Sequence, residues 1–135
     1  MSSIISIHSD QAPKAVGPYS QAIRHGNVLY LSGQIGLVPD TGKLAGDDLK
    51  SQAVQVMHNL SAVLHEAGAA TSDIIKAGIY LTDMGDFPVL NRLYADWLGE
   101  HRPARATVAV AALPLDARIE MDLVARMPEG AHTGE

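Results

Sequence analysis

An arginine stands at the start of a strand pattern that is otherwise built from small residues, in the segment His101–Thr107 (HRPARAT). Pro103 restricts the backbone of the residue before it and gives the strand a defined start. Because Arg105 is followed by alanine and threonine, space remains above its guanidinium group. A single arginine so placed is enough to bind a small anion. The structural alternatives are an arginine that points to water from the end of the strand and a cross-strand salt bridge.

A glutamate lies within the last strand pattern, in the segment Arg118–Leu123 (RIEMDL). Strict alternation along a strand places Glu120 on the same face as Arg118 and Asp122. The pattern by itself favours a solvated polar face and leaves a chemical role for this carboxylate open.

Two further features lie nearer the N-terminus. Tyr19 follows a Gly-Pro turn signal, where a tyrosine usually packs its ring and leaves its hydroxyl at the rim. Ser32, Gly33 and Gln34 interrupt an apolar strand. A glycine inside a strand indicates a bulge or a close approach of the backbone, which predicts an exposed N–H near Gly33.

Metal and thiol chemistry have little support. His58 and His65 are about two helical turns apart, but no carboxylate stands one turn away, so a solvated helix face is favoured over a metal site. The chain has no cysteine, which excludes disulfides, thiol nucleophiles and zinc–thiolate sites. The absence of GxGxxG, GxxxxGKS/T and GxSxG motifs leaves dinucleotide, phosphate-loop and hydrolase-elbow sites without support.

The predicted elements that must position these side chains follow the order β-β-α-β-α-β-β, an α+β or split βαβ pattern. One helix begins at the N-cap candidates Asp47 and Asp48 and ends at Gly68, and a second is capped by Asp86, carries Pro88 in its first turn and ends at Gly99. Local rules pair the last two strands as a hairpin. The predicted strands are Ala22–His25, Val28–Ile35, Ile74–Leu81, Arg105–Ala111 and Arg118–Arg126.

Length and charge narrow the function classes. A chain of 135 residues predicts one domain, which we place at residues 1–126, followed by a flexible tail at residues 127–135. The net charge of −5, with scattered lysines and arginines, argues against nucleic-acid binding. Because no membrane span, signal peptide or transit peptide is recognisable, we expect no membrane association and a cytoplasmic location.

The strand patterns also predict self-association. In residues 105–111 both faces are apolar or small, and Leu29, Leu31 and Ile35 oppose Val28 and Tyr30 in the same way. Such strands need cover on both sides, whereas two helices can cover only one face of a sheet of this size. We therefore expect the second face to pack against another copy of the chain.

Several of these segments together resemble the RidA family, also called the YjgF family. The resemblance extends from about Ala12 to Arg126. It implies a chorismate-mutase-like α+β fold with a mixed sheet, assembled as a homotrimer around a central barrel, with the helices outside and a site in each cleft between subunits. It also implies that the last strand inserts beside the first instead of forming a hairpin. The matching segments are PARATV from Pro103 with Leu113, IEM from Ile119, GPYSQA from Gly17, SGQI from Ser32, and Asn91.

The activity that the resemblance implies is hydrolysis of 2-enamino and 2-imino acids to 2-oxo acids and ammonia, without metal or cofactor. Arg105 would hold the substrate carboxylate and Glu120 would position a water, with Tyr19 as the third residue of the catalytic set. The implied substrate-binding residues are Arg105, Ser32, Gly33, Asn91 and Thr107. Many family members carry cysteine where this chain has Thr107, but others lack it. The resemblance therefore implies that the thiol is not the nucleophile and that the contribution of Thr107 comes from its backbone.

Other functions stay open at this point. Some relatives are described as RNA-cleaving translation inhibitors, which the acidic charge disfavours. The same cleft could serve a 2-oxo-acid sensor or a chaperone-like regulator. A specialised relative could act on aminoacrylate from pyrimidine breakdown or on an aminomuconate.

Overall fold

The computed structural model describes residues 3–128 of the chain. Two helices and a mixed sheet confirm the predicted α+β class, and a strand near the N-terminus, β1, adds to the predicted set. The elements are β1 (Ile4–Ile7), β2 (Ala22–His25), β3 (Val28–Ile35), α1 (Leu49–Ala67), β4 (Ile74–Leu81), α2 (Phe87–Leu98), β5 (Ala104–Ala109) and β6 (Ile119–Arg126).

Both helices begin and end where the sequence predicts, but only the first has a side-chain hydrogen bond at its N-cap. Asp48 caps α1, since its Oδ2 accepts a hydrogen bond from the Ser51 N–H at 2.9 Å, and Gly68 ends the helix in the left-handed region at φ 89°. Asp86 occupies the N-cap position of α2 but makes no side-chain capping bond. Its carboxylate instead binds Arg118, with Nη2 and Oδ2 3.1 Å apart.

The sheet has the strand order β1-β2-β3-β6-β4-β5, which corrects two expectations. The last two strands do not form the hairpin that local rules predict, as the resemblance implied, because β6 lies between β3 and β4 and is antiparallel to both. For the same reason β6 does not lie beside the first strand. The crossover through α2 returns the chain to the end of the sheet at which β4 begins, so β5 runs parallel to β4.

One face of this sheet packs on the helices. The core consists of apolar side chains from α1 and α2 and of alternate residues of β3, β4 and β6, for example Leu60, Leu90, Ile79 and Met121. Trp97 adds a polar link between the helices, since its Nε1–H donates to Ser61 Oγ at 2.9 Å. This layer fixes which strand residues face the helices.

The opposite face has no cover within the described chain, and Tyr30 and Val108 are 51% and 46% exposed. We call it the outer face. The expectation that Ile35 shares a face with Leu29 and Leu31 is wrong, because the register between β3 and β6 shifts between Leu31 and Gln34. The shift buries Gln34 and pairs Ile35 with Glu120 on the outer face.

Met127, which the sequence analysis assigned to the tail, is buried and its N–H donates to the Asn27 carbonyl at 2.7 Å. The remainder of the predicted tail from residue 129 lies outside the described residues. No helix within residues 3–128 has both the length and the apolar character needed to span a bilayer.

Candidate active site

The guanidinium group of Arg105 is held against α2. Its Nη1 donates to Asn91 Oδ1 at 2.7 Å. The Cζ atom lies 5.4 Å from the centre of the Phe87 ring and 5.1 Å from that of Tyr94, within the range of cation–π attraction. Arg105 is nevertheless exposed, so the cation is oriented by its neighbours and open to a ligand.

Register and helical spacing explain this arrangement. Arg105 pairs with Ala77 of β4, a buried residue, so its side chain is on the helix face of the sheet. Phe87, Asn91 and Tyr94 follow one another at spacings of about one turn and therefore lie on one face of α2. Asn91 was expected from the resemblance. Phe87 and Tyr94 were not expected as neighbours of the arginine, although their spacing along the helix pattern is a usable signal.

Two polar atoms near Arg105 have no hydrogen-bond partner within the described residues. They are Thr107 Oγ1 and Tyr94 Oη, and both are buried. Burial raises the pKa of Tyr94, while the Arg105 charge opposes that rise. Because β5 is an edge strand, alternate backbone N–H groups also face away from the sheet. These groups could bind a small polar molecule or a second chain.

Glu120 lies on the outer face beside the bulge of β3. It is half-buried, and burial raises the pKa of its carboxyl group, with a further rise caused by the Asp122 charge. A Cβ atom on Gly33 would contact Glu120 Oε2 and would lie 2.9 Å from its Cδ. The Glu120 carboxylate can occupy this position only because residue 33 has no side chain, as expected for a glycine where another group approaches the backbone closely.

Ser32 and Tyr19 lie on the N-terminal side of this bulge. The Ser32 hydroxyl donates to the Ser20 carbonyl at 2.6 Å, and the Ser32 N–H donates to the Gln21 carbonyl at 3.0 Å. Gln21 is buried and its amide nitrogen donates to the Ser9 and Pro13 carbonyls, which secures the segment before β2. Tyr19, two residues earlier, is 50% exposed, so its ring is available for contacts.

The structure thus places the expected site residues in two groups. Arg105, Asn91 and Thr107 form one group on the helix face, and Glu120 with Gly33 belongs to another group on the outer face. Arg105 pairs with Ala77 and Glu120 with Tyr80, and β4 separates their strands. Strand spacing and rise place their Cα atoms about 14 Å apart. One chain therefore does not bring Arg105 and Glu120 onto the same small molecule.

No set of three or more histidine, aspartate or glutamate side chains in the described part of the chain is arranged to hold a metal ion. The chemistry offered by the two groups is anion binding by a fixed guanidinium and proton transfer by a carboxyl group with a raised pKa.

Comparison with known proteins gives a consistent result. Residues 9–127 match the model of a family described as Endoribonuclease L-PSP. The chain is 44% identical over 119 residues to a RutC family protein of Pyrococcus abyssi, covering 88% of this chain and 94% of that protein. It is 42% identical over 121 residues to Reactive Intermediate Deaminase A, chloroplastic, of Arabidopsis thaliana, covering 90% of this chain and 65% of that protein.

Solved structures agree in fold. RidA from an Antarctic Psychrobacter has a TM-score of 0.88 and 43% identity, covering 91% of this chain and 99% of that chain. E. coli TdcF with bound serine has a TM-score of 0.87 and 35% identity, covering 92% of this chain and 99% of that chain.

Proposed function

Because the chain belongs to the Endoribonuclease L-PSP family, whose members include the RidA and RutC proteins, we propose that it hydrolyses 2-enamino and 2-imino acids to 2-oxo acids and ammonia. The observation that carries this proposal is the guanidinium of Arg105, oriented by Asn91 and two aromatic rings yet exposed. The name of the Arabidopsis relative and the serine bound to TdcF support a small substrate with an amino-acid skeleton.

Arg105 anchors the substrate in this proposal. An arginine has five N–H donors in a planar fork, and the bond to Asn91 Oδ1 uses one side of it. The remaining donors match the two oxygens of a carboxylate. The imine carbon next to that carboxylate is already electrophilic, so we propose no metal and no cofactor.

Glu120 supplies the proton transfer. A raised pKa makes its carboxylate a better base than an ordinary glutamate, so it takes a proton from the water that attacks the imine carbon. The water oxygen bonds to that carbon, and Glu120 returns the proton to the nitrogen, which gives a carbinolamine. The hydroxyl of this intermediate then loses its proton to Glu120 as the carbonyl forms, the carbon–nitrogen bond breaks, and the nitrogen takes that second proton and leaves as ammonia. Tyr19, Ser32 and Gly33, with the backbone at Thr107, line the cleft and orient the substrate.

The position of Arg105 and Glu120 on opposite faces supports a site built by two chains. We propose that the chain forms a homotrimer, with three sheets around a central barrel, in which Arg105 of one copy faces Glu120 of a neighbour. The uncovered outer face and the exposed strand β5 give such an assembly its contact surfaces. A monomeric mass in light scattering at micromolar concentration would contradict this part of the proposal.

The decisive experiment generates 2-aminoacrylate with a serine dehydratase and follows pyruvate formation with and without the protein. We expect faster pyruvate release that persists in a chelator and needs no added cofactor. A chain that binds 2-oxobutyrate in calorimetry without accelerating imine loss would instead be a sensor or chaperone-like regulator.

RNA cleavage is a second candidate, favoured by the description of the matching family. The net charge of −5 opposes it, because non-specific RNA binding depends on phosphate neutralisation. Cleavage of labelled RNA by freshly purified protein, weakened by salt and lost in Arg105→Ala, would favour this candidate.

A further inference from the structure

A tyrosine–aspartate pair lies beside Glu120 on the outer face. Tyr80 Oη donates to Asp122 Oδ2 at 2.9 Å. The cross-strand partner of Tyr80 is Glu120, whereas that of Asp122 is Gly78. The tyrosine therefore extends diagonally along β6, from the position of one carboxylate to the other. Neither Tyr80 nor Asp122 has a role in the function proposed above.

The absence of a side chain at Gly78 makes room for this pair. A Cβ atom there would lie 2.5 Å from Asp122 Oδ1 and 2.9 Å from Tyr80 Oη, which is too close for either atom to stay in place. The hydrogen bond thus depends on strand register and on a glycine, and it fixes the position of the Asp122 carboxylate.

Among the described residues, the other charged side chain two residues from Glu120 is Arg118, and its guanidinium is paired with Asp86 at 3.1 Å. Glu120 and Asp122 are two residues apart on one strand face, about 7 Å between Cα atoms. Lys76 lies farther along β4, opposite Val124. The neighbouring outer-face residues of β3 and β5 are uncharged; they are Gly33, Ile35, Ala104, Ala106 and Val108.

We propose that Asp122, held by Tyr80, is a positioning residue that acts through Glu120, by fixing a negative charge that makes the neighbouring carboxylate a stronger proton acceptor. This inference rests on the function proposed above. The hydrogen bond from the Tyr80 hydroxyl holds the Asp122 carboxylate in place. Burial raises the pKa of Glu120, and the Asp122 charge adds to that rise because it disfavours a second negative charge nearby.

The test follows the carboxyl ¹³C NMR signals of the protein as pH is varied. The signal that is absent in Glu120→Gln is assigned to Glu120. In Asp122→Asn we expect Glu120 to titrate lower by about 0.4 to 1.7 pH units, the range for a unit charge about 7 Å away at effective dielectric constants of about 80 to 20. Tyr80→Phe should shift the titration in the same direction by less. Glu66→Gln, an exposed charge removal on α1, is the matched control and should leave it unchanged.

The same variants are then assayed for imine hydrolysis across pH. Because Glu120 acts as the base, the acid limb of kcat/KM should move to lower pH in Asp122→Asn, in step with the NMR titration. An unmoved Glu120 titration in Asp122→Asn would overturn the inference whatever the activity. A moved titration in a protein without any hydrolysis would overturn the proposed function and with it the catalytic role of Asp122, while the charge coupling would stand.

Discussion

Replacing Arg105 tests the carboxylate anchor most directly. In the proposed complex its fork makes two charge-assisted hydrogen bonds, each contributing about 1.5–3 kcal/mol. Arg105→Ala therefore removes about 3–6 kcal/mol of binding. At 1.4 kcal/mol for each tenfold change, kcat/KM should fall about 10²- to 10⁴-fold. Arg105→Lys keeps the positive charge but has no fork of paired N–H donors, so kcat/KM should fall less than in Arg105→Ala.

The fold should tolerate the same change. Arg105 is exposed, and the alanine variant loses the bond to Asn91 and two aromatic contacts, each of about 0.5–1 kcal/mol. The urea midpoint and the mass in light scattering of Arg105→Ala should therefore stay close to those of the unmodified protein. These measurements separate loss of binding from loss of structure. The assay couples a serine dehydratase to pyruvate release. Near-normal kcat/KM in Arg105→Ala would refute the anchor.

Three further changes follow from the same geometry. Asn91→Ala removes the acceptor of Arg105 Nη1, so KM should rise several-fold in steady-state assays with kcat little changed; an unchanged KM would contradict the orienting role of Asn91. Gly33→Ala places a methyl group against the Glu120 carboxylate, so hydrolysis should fall sharply while circular dichroism stays native. Burial raises the pKa of Glu120 above 4.5 in the folded chain, so its ionisation disfavours folding as pH rises through that pKa. Glu120→Gln should therefore raise the urea midpoint at about pH 8 and change it little at about pH 3, where the carboxyl group is protonated in both the folded and the unfolded chain.

The helices and most strands could be predicted from the sequence because their signals are local. Periodic apolar residues, the Asp48 cap and the Gly68 ending define α1 without reference to the rest of the chain. The first strand, β1, was missed, although Ile4, Ile5 and Ile7 are β-branched. It is a short, partly exposed edge strand, and its apolar residues do not alternate clearly with polar ones.

The strand order could not be derived from local rules. A short connection between two strands favours a hairpin, and residues 110–118 between β5 and β6 gave that expectation. The parallel pairing of β4 with β5 takes one side of β4, and β6 fills the other side, next to β3. Which strands pair with β4 depends on contacts between distant parts of the chain, and the local sequences of β5 and β6 do not indicate it.

The candidate site was predictable as a set of residue types and not as an arrangement. Residue type and position in a strand pattern singled out Arg105, Glu120 and Gly33, the resemblance implied their roles, and the bulge expected at Gly33 is present. The separation of Arg105 and Glu120 onto opposite faces follows from which β4 residue each one pairs with, and no spacing in the sequence encodes that pairing. The Tyr80–Asp122 bond was missed for the same reason.

The opposite-face placement of Arg105 and Glu120 has a genetic consequence. If each cleft draws its cation from one copy and its carboxylate from the next, two inactive mutants carry complementary defects. Subunit exchange between Arg105→Ala and Glu120→Gln proteins would then create mixed assemblies in which some clefts hold both intact side chains. Co-expression of the two alleles would restore part of the turnover that neither shows alone.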